Sequence, residues 1–454
     1  MYRLFKVGNL VESLVIRNVK IPIQGSLVEG NILVENGLIT SIGRRDYTGD
    51  VVLDGEGQLI VPGGIDLHAH VYDPEYLENE DWSTGSLAGA YGGLTTVIDM
   101  PLRVYVDNTS IVERKLSEAR RHSYVNYGIT GGFINESNYK SISVLRSMGV
   151  KTFKFFTCRP FKIEDDSLIP ALEEVKRNNA IAIFHAEDDD LISYGESKYK
   201  GINDIVAYHS SRTGLTEASA VLRVGLYALE VGARVHIAHL SSGMGLSAIK
   251  WLRENRVSIT SEVCPHHLYF TREDSRRYGN YLKLAPTLKT REDIEELWVG
   301  LNKGLIDAYV SDNAPAPRSM KDVDTWSAWG GIPNLEIMGP FLYTTGVLTG
   351  RISLEVFIDV FSRNPAKILG VYPFIGELAI GSRADLYILE TRRKRLISSR
   401  NHHHKVDWTP WEGFEFYGAP LHLVVGGKVV IEKGELVGEP GWGVYVGELV
   451  KEKV

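Results

Sequence analysis

The chain has 454 residues, 44% hydrophobic and 24% charged, a balance that builds a large apolar core and excludes a disordered, collagen-like or disulfide-stapled protein. Lys and Arg number 50 against 57 Asp and Glu, a formal net charge of −7, so no basic field exists to hold nucleic acid or anionic lipid. The two cysteines, Cys158 and Cys264, match the usage of a reducing compartment, and a cytoplasmic location is expected.

The opening MYRLFKVGNLVESLVIRNVK interrupts each apolar run with charge before a signal-peptide core forms. No later stretch reaches the roughly 18 apolar residues that span a bilayer. From about residue 13 to 60 the runs SLVIRNVKI, SLVEGNILVENGLITSIG and DVVLDGEGQLIVPG read as short strands punctuated by Gly and Asn-Gly. Between roughly 60 and 370 the texture alternates. Buried strands are predicted at 94–100, 150–156, 180–187, 233–242, 257–264 and 306–312, and helices at 110–122, 216–232, 244–255 and 291–304. The late runs GELAIGSRADLYILE and LHLVVGGKVVIEKGELVG return to the opening texture. The expected organisation is a composite β domain from residues 1–58 and 375–454, around a domain spanning 59–374.

Repeated βα units over about 300 residues point to an α/β fold, a (β/α)8 TIM-type barrel, with an open doubly wound sheet as the alternative. The polar residues favour the barrel. They sit at the C-terminal ends of several strands, whereas an open sheet concentrates them at one switch point.

GGIDLHAH places His68 and His70 two apart at a strand end, where both face the same way and can converge on one ion. His185 ends AIAIFHAE, His239 ends ARVHIAHLSS and Asp312 ends IDAYVSD, each at the close of an apolar run. His236, at an odd offset from His239, faces away and reads as structural. Lys154 lies inside VKTFKFF, where an unpaired ammonium is costly to bury. It either snorkels or pairs with an acid, or its amine reacts with carbon dioxide to give a carbamate able to bridge two divalent ions.

The ordered set GGIDLHAH, FKFF, FHAED, HIAHLSS, SEVCPHHLYF and VSDNAP, with NPAKILG and GSRADLYILE, resembles the amidohydrolase superfamily over nearly the whole chain. Within it, the similarity is to the cyclic amidohydrolases: dihydroorotases, hydantoinases and allantoinases. The resemblance implies a (β/α)8 barrel with a small β-sandwich domain formed by both termini, and a centre of two divalent metal ions, usually zinc. It implies that His68 and His70 bind one ion, His185 and His239 the other, and that Lys154, carboxylated by CO2, bridges them. Asp312 would bind the first ion and act as the base, later returning its proton to the departing ring nitrogen. The partner is a small cyclic ureide or amide, and a homo-oligomer, dimer or tetramer, is expected. A non-catalytic scaffold on the same fold is the contrasting reading. Such a protein would have shed metal ligands, and all six positions are occupied here.

Substrate identity rests on departures between subfamilies. Dihydroorotase-like sequences place an arginine two residues after the His pair, where this chain has Tyr72, and a histidine where it has Pro317. NEDW (79–82), IDMPL (98–102) and WSAWGGI (326–332) are similar to allantoinases, although Asn313, Ala285 and Tyr72 depart from that pattern too. The reading is allantoin to allantoate, with dihydroorotase or hydantoinase/dihydropyrimidinase activity as the alternative. Candidate substrate contacts are Tyr72, Arg159, Ala285 and Gly330. His266 and His267 are expected to support or pack, and His402, His403 and His404 to form a solvated loop.

Overall fold

The computed structural model describes residues 13–23 and 25–449. The opening segment to residue 12, part of the stretch read above for a signal peptide, lies outside the described residues, as do residues 450–454. Four strands come first: β1 (Ser13–Ile23), β2 (Ser26–Glu35), β3 (Leu38–Gly43) and β4 (Val51–Pro62). Alternation shapes them, with Gly30, Ile32 and Val34 of β2 buried between more exposed neighbours. Asn36 and Gly37 turn β2 into β3 at φ of 51° and 78°, the left-handed region that Asn and Gly tolerate best.

Eight parallel strands follow: β5 (Gly64–Ala69), β6 (Leu94–Asp99), β7 (Asn126–Ile129), β8 (Thr152–Phe156), β9 (Ile181–His185), β10 (Val235–Ile237), β11 (Ile259–Val263) and β12 (Ala308–Tyr309). Each pairs with its successor within two groups, β5 to β7 and β8 to β12. A bridge from Gly131 to Phe153 joins the groups, and one from Ala69 to Asn313 closes the ring. This closure makes the sheet a barrel rather than an open layer. The expected helices form at Thr109–His122, Gly214–Val231, Gly243–Glu254 and Arg291–Asn302. Strand β7 and the helix Asp165–Arg177 were not anticipated. The first is four residues of NYGI, too short to show a period, and the second carries an internal Pro170.

The chain returns through β13 (Leu386–Glu390), β14 (Arg395–Leu396), β15 (Glu415–Phe416), β16 (Ala419–Val425), β17 (Lys428–Glu432) and β18 (Glu435–Leu436). One eight-stranded sheet runs β18-β17-β16-β13-β4-β1-β2-β3, so strands from both ends of the chain hydrogen-bond together. One of its faces makes its own core from Leu14, Ile16, Ile32, Leu53, Ile60, Ile388 and Val424. Their alternating neighbours Val61, Tyr387, Leu389 and Leu423 join the barrel core instead. Among the described residues no helix is long and apolar enough to cross a membrane.

Residues 391–417 pack along the outside of the barrel, against the helix Trp82–Tyr91 and the segment after β12. There Trp411 Nε1 donates to Asn334 Oδ1 (2.8 Å) and Trp408 Nε1 to the Ala316 carbonyl (2.9 Å). The histidine run in this segment is not a solvated loop. His404 Nδ1 meets buried Glu80 (2.8 Å), and His403 meets buried Glu336 and stacks on Tyr91 at 3.9 Å. Two buried carboxylates need polar partners, and these histidines supply them.

Candidate metal centre and substrate cavity

The barrel gathers His68, His70, Lys154, His185, His239 and Asp312 at its C-terminal mouth, along one cavity of about 770 Å³ that opens to solvent. His68 and His70 come from the end of β5, Lys154 from β8, His185 from β9, and His239 and Asp312 from just beyond β10 and β12. His68 Nε2 and His70 Nε2 each lie 3.4 Å from Asp312 Oδ1. His185 Nδ1 lies 3.1 Å from His239 Nε2, and the His68 and His239 rings are 5.3 Å apart. His239 and Asp312 hold φ of 35° and 46°. Such backbone costs a non-glycine residue about 1–3 kcal/mol and persists where surrounding contacts over-determine it. Here the His239 N–H donates to Glu262 and the Asp312 N–H to the His68 carbonyl (2.8 Å).

Hydrogen bonds on the far side of the His68, His70 and His185 rings fix which nitrogen faces the centre, whereas His239 Nδ1 has no partner among the described residues. His70 Nδ1 donates to the Met100 carbonyl at 2.8 Å, so the Nε2 lone pair points inward. Glu262 accepts from His68 Nδ1 and, with its other oxygen, from His236 Nε2 at 2.9 Å. Glu187 accepts from His185 Nε2 at 2.8 Å and from Arg212 Nη1 at 3.0 Å. Burial works to raise the Glu262 carboxyl, but His68 and His236 outweigh it and hold it well below the usual range. Burial lowers His68 to about 4, with Lys154 adding to the effect, and also lowers His185 and His239. These three imidazoles are therefore neutral near pH 7, the form that binds metal.

Lys154 neither snorkels nor pairs with an acid. It is 1% exposed, no described carboxylate oxygen lies within ion-pair distance, and its amine sits 5.2 Å over the Phe156 ring. Burial lowers the ammonium to about 8, against attraction from Glu262 and Asp312. Asp312 is buried too, yet His68 and His70 keep its carboxyl well below the usual range, so it is an anion at neutral pH. Four inward imidazoles and one carboxylate make a donor set suited to divalent cations, which the Lys154 ammonium would join only after losing its proton.

The substrate candidates fare differently. Ala285 and Gly330 line the cavity. Arg159 also borders it, but its guanidinium turns outward, 68% exposed, to Asp189 (2.8 Å) and Ser193 (2.7 Å). Tyr72 is buried behind the wall, its ring 6.4 Å from that of His70 and 6.3 Å from that of Trp329. His266 and His267 take protein partners, Asn334 (2.9 Å) and the Pro286 carbonyl (3.2 Å). With Cys264 they form a second compact group of potential ligand atoms, and Cys158, His185 and Glu187 form a third. Sequence reasoning missed Glu262, Glu187, Arg212 and Asn334. The first was open to discovery, since an acid inside the buried run VSITSEVC needs a partner just as Lys154 does.

Residues 59–430 match the amidohydrolase family, and the chain belongs to it. A dihydroorotase of Methanosarcina acetivorans is 36% identical over 448 residues, covering 95% of this chain and 94% of that protein. An allantoinase of Rubrobacter xylanophilus is 30% identical over 432 residues, covering 92% and 94%. The solved L-hydantoinase (dihydropyrimidinase) from Arthrobacter aurescens superposes with a TM-score of 0.90 at 29% identity, over 95% of this chain and 99% of that one. Within the family, the chain is a cyclic amidohydrolase, a hydrolase acting on cyclic amides.

Proposed function

We propose that the protein opens the ring of a cyclic ureide with a two-zinc centre, and that its substrate is allantoin, converted to allantoate. The convergence of His68, His70, Lys154, His185, His239 and Asp312 on one cavity carries this reading. His68, His70 and Asp312 would hold one ion and His185 and His239 the other, with Lys154 as a carbamate between them. A bound pair of zinc ions supplies a Lewis acid for the scissile carbonyl and lowers the pKa of water from 15.7 toward about 7. Asp312, whose Oδ1 lies 3.4 Å from each of the His68 and His70 Nε2 atoms, would accept the water's proton and release it to the departing ring nitrogen.

Support for a neutral ring comes from the cavity's arginines. Arg159 is held by Asp189, and Arg212 by Glu187 and Glu196, so neither offers a free guanidinium to a carboxylate. Relatives named dihydroorotase support a second reading, dihydroorotate. The proposal includes a terminal β domain of residues 1–58 with 375–454, and a symmetric dimer or tetramer, read by light scattering. Assays with zinc and bicarbonate against allantoin, hydantoin, dihydrouracil and dihydroorotate test the substrate. Allantoin is expected to turn over fastest, and faster hydrolysis of dihydroorotate overturns that choice.

A further inference from the structure

Ala285 and Gly330 line the cavity from two separate segments, and a buried lysine ties those segments together. Lys283, 5% exposed, follows the turn Gly279–Leu282 and precedes Leu284 and Ala285 of the cavity lining. Its Nζ donates to the carbonyls of Trp326 (2.9 Å) and Ala328 (2.6 Å), and its own carbonyl accepts from the Gly331 N–H (2.9 Å). One residue holds the loop 326–331 at three points. Tyr208 backs it, with its ring 4.8 Å from Nζ and its hydroxyl donating to the Leu284 carbonyl (3.2 Å). A second buried lysine, Lys321, donates to the Trp329 carbonyl at 2.8 Å.

The loop so held closes tightly on the cavity. A Cβ at Gly331, which has a φ of 144°, would lie 2.2 Å from the carbonyl oxygen of Ala314, another lining residue, and one at Gly330 would lie 4.0 Å from the Ala285 nitrogen. Peptide groups away from solvent are nearly always paired. Those of Ala285 and Gly330 make no hydrogen bond to any described residue, and both residues are only half-buried, on the cavity. They leave backbone donors and acceptors for an amide-bearing ring. Burial lowers the Lys283 ammonium to about 8, with Arg212 adding to the effect, so it is charged near pH 7 and its bonds to the loop carbonyls are charge-assisted. Among the described residues no carboxylate pairs with it, and the loop carbonyls are what offset its desolvation.

We propose that Lys283 is a positioning residue for substrate binding, which sets the spacing between the Ala285 and Gly330 peptide groups that receive the amide edge of the ring. This rests on the functional reading above and deepens it, since the lysine acts through the cavity wall and touches neither the ring nor the metal ligands.

The test compares zinc-loaded wild type with Lys283→Met on allantoin, hydantoin, dihydrouracil and dihydroorotate, with melting curves to verify folding. If Lys283→Met does not fold, Lys283→Gln, which keeps a donor on a shorter stem, takes its place under the same criteria. KM on the preferred ring is expected to rise about 10- to 100-fold, with kcat and zinc content little changed, because the cradle is untouched. Without substrate, amide hydrogen exchange should quicken over residues 326–331 and stay as in wild type in the barrel strands. A lysine that only stabilises the fold would lower the melting temperature and leave KM in place. Unchanged KM in an active variant, a fall in kcat with KM unmoved, or unchanged exchange of the loop overturns this inference alone. A wild type that hydrolyses none of the four rings removes the functional reading itself, and this inference with it.

Discussion

The metal cradle and the wall beside it are built on opposite plans. In the cradle, Lys154 stands within β8 and the four histidines and Asp312 near or just beyond strand ends, and Glu262, Glu187 and the Met100 carbonyl hold three of the rings from outside. Behind the wall, Tyr72 and Trp329 stand on loops, and the buried Tyr72 hydroxyl has no hydrogen-bond partner among the described residues. Strand ends fix the potential ligand atoms, and loops build the rest of the cavity's surroundings. A barrel can thus keep its chemistry while its substrate changes.

The largest effect that sharpens this contrast is expected in the cradle. Lys154→Ala should lose at least one metal ion and nearly all turnover, because the carbamate proposed to bridge the two halves of the site would be missing. Metal analysis that still finds two ions in this variant would break the contrast at its strongest point.

Asp312→Asn should keep much of its metal but lose about 10²- to 10⁴-fold in kcat, the range that general acid–base groups contribute. Undiminished turnover would remove Asp312 from the base role. Glu262→Gln should weaken metal affinity by about 10- to 100-fold, as losses of outer partners do. A neutral amide cannot accept from His68 and His236 as one carboxylate does. Titration with a competing chelator reads this change, and unchanged affinity would mean that strand packing alone orients the rings.

Arg159→Ala should do least. Its exposed pair with Asp189 belongs to a class worth about 0–1 kcal/mol, and melting temperature and kcat/KM should move no further than that. A large rise in KM would show that Arg159 swings inward to hold substrate.

The same division governs what the sequence disclosed. Each cradle residue closes or interrupts a short apolar run, so its position relative to the barrel mouth follows from strand direction. Glu262 is written in the same way, inside a buried run, and the rule that exposed Lys154 applies to it. Glu187 opens the polar stretch EDDD, where nothing local separates a buried partner from a solvated one, and Asn334 stands in the irregular GGIPNLEI, which has no strand period to show where it faces. The His402 to His404 run misleads for a related reason. Its partners Glu80 and Glu336 lie far away in the chain, and only the packing of residues 391–417 against the barrel brings them together. For Tyr72 the residue type was visible, but its unpartnered hydroxyl was not, because an absent hydrogen bond is a property of the folded surroundings.

Anomalous diffraction at the zinc edge, on crystals grown with zinc and bicarbonate, tests the central claim most directly. The account predicts two zinc peaks, one among His68, His70 and Asp312 and one beside His185 and His239, with density extending from Lys154 Nζ to both. A bare Lys154 amine with a single peak, or peaks placed away from these side chains, would contradict it.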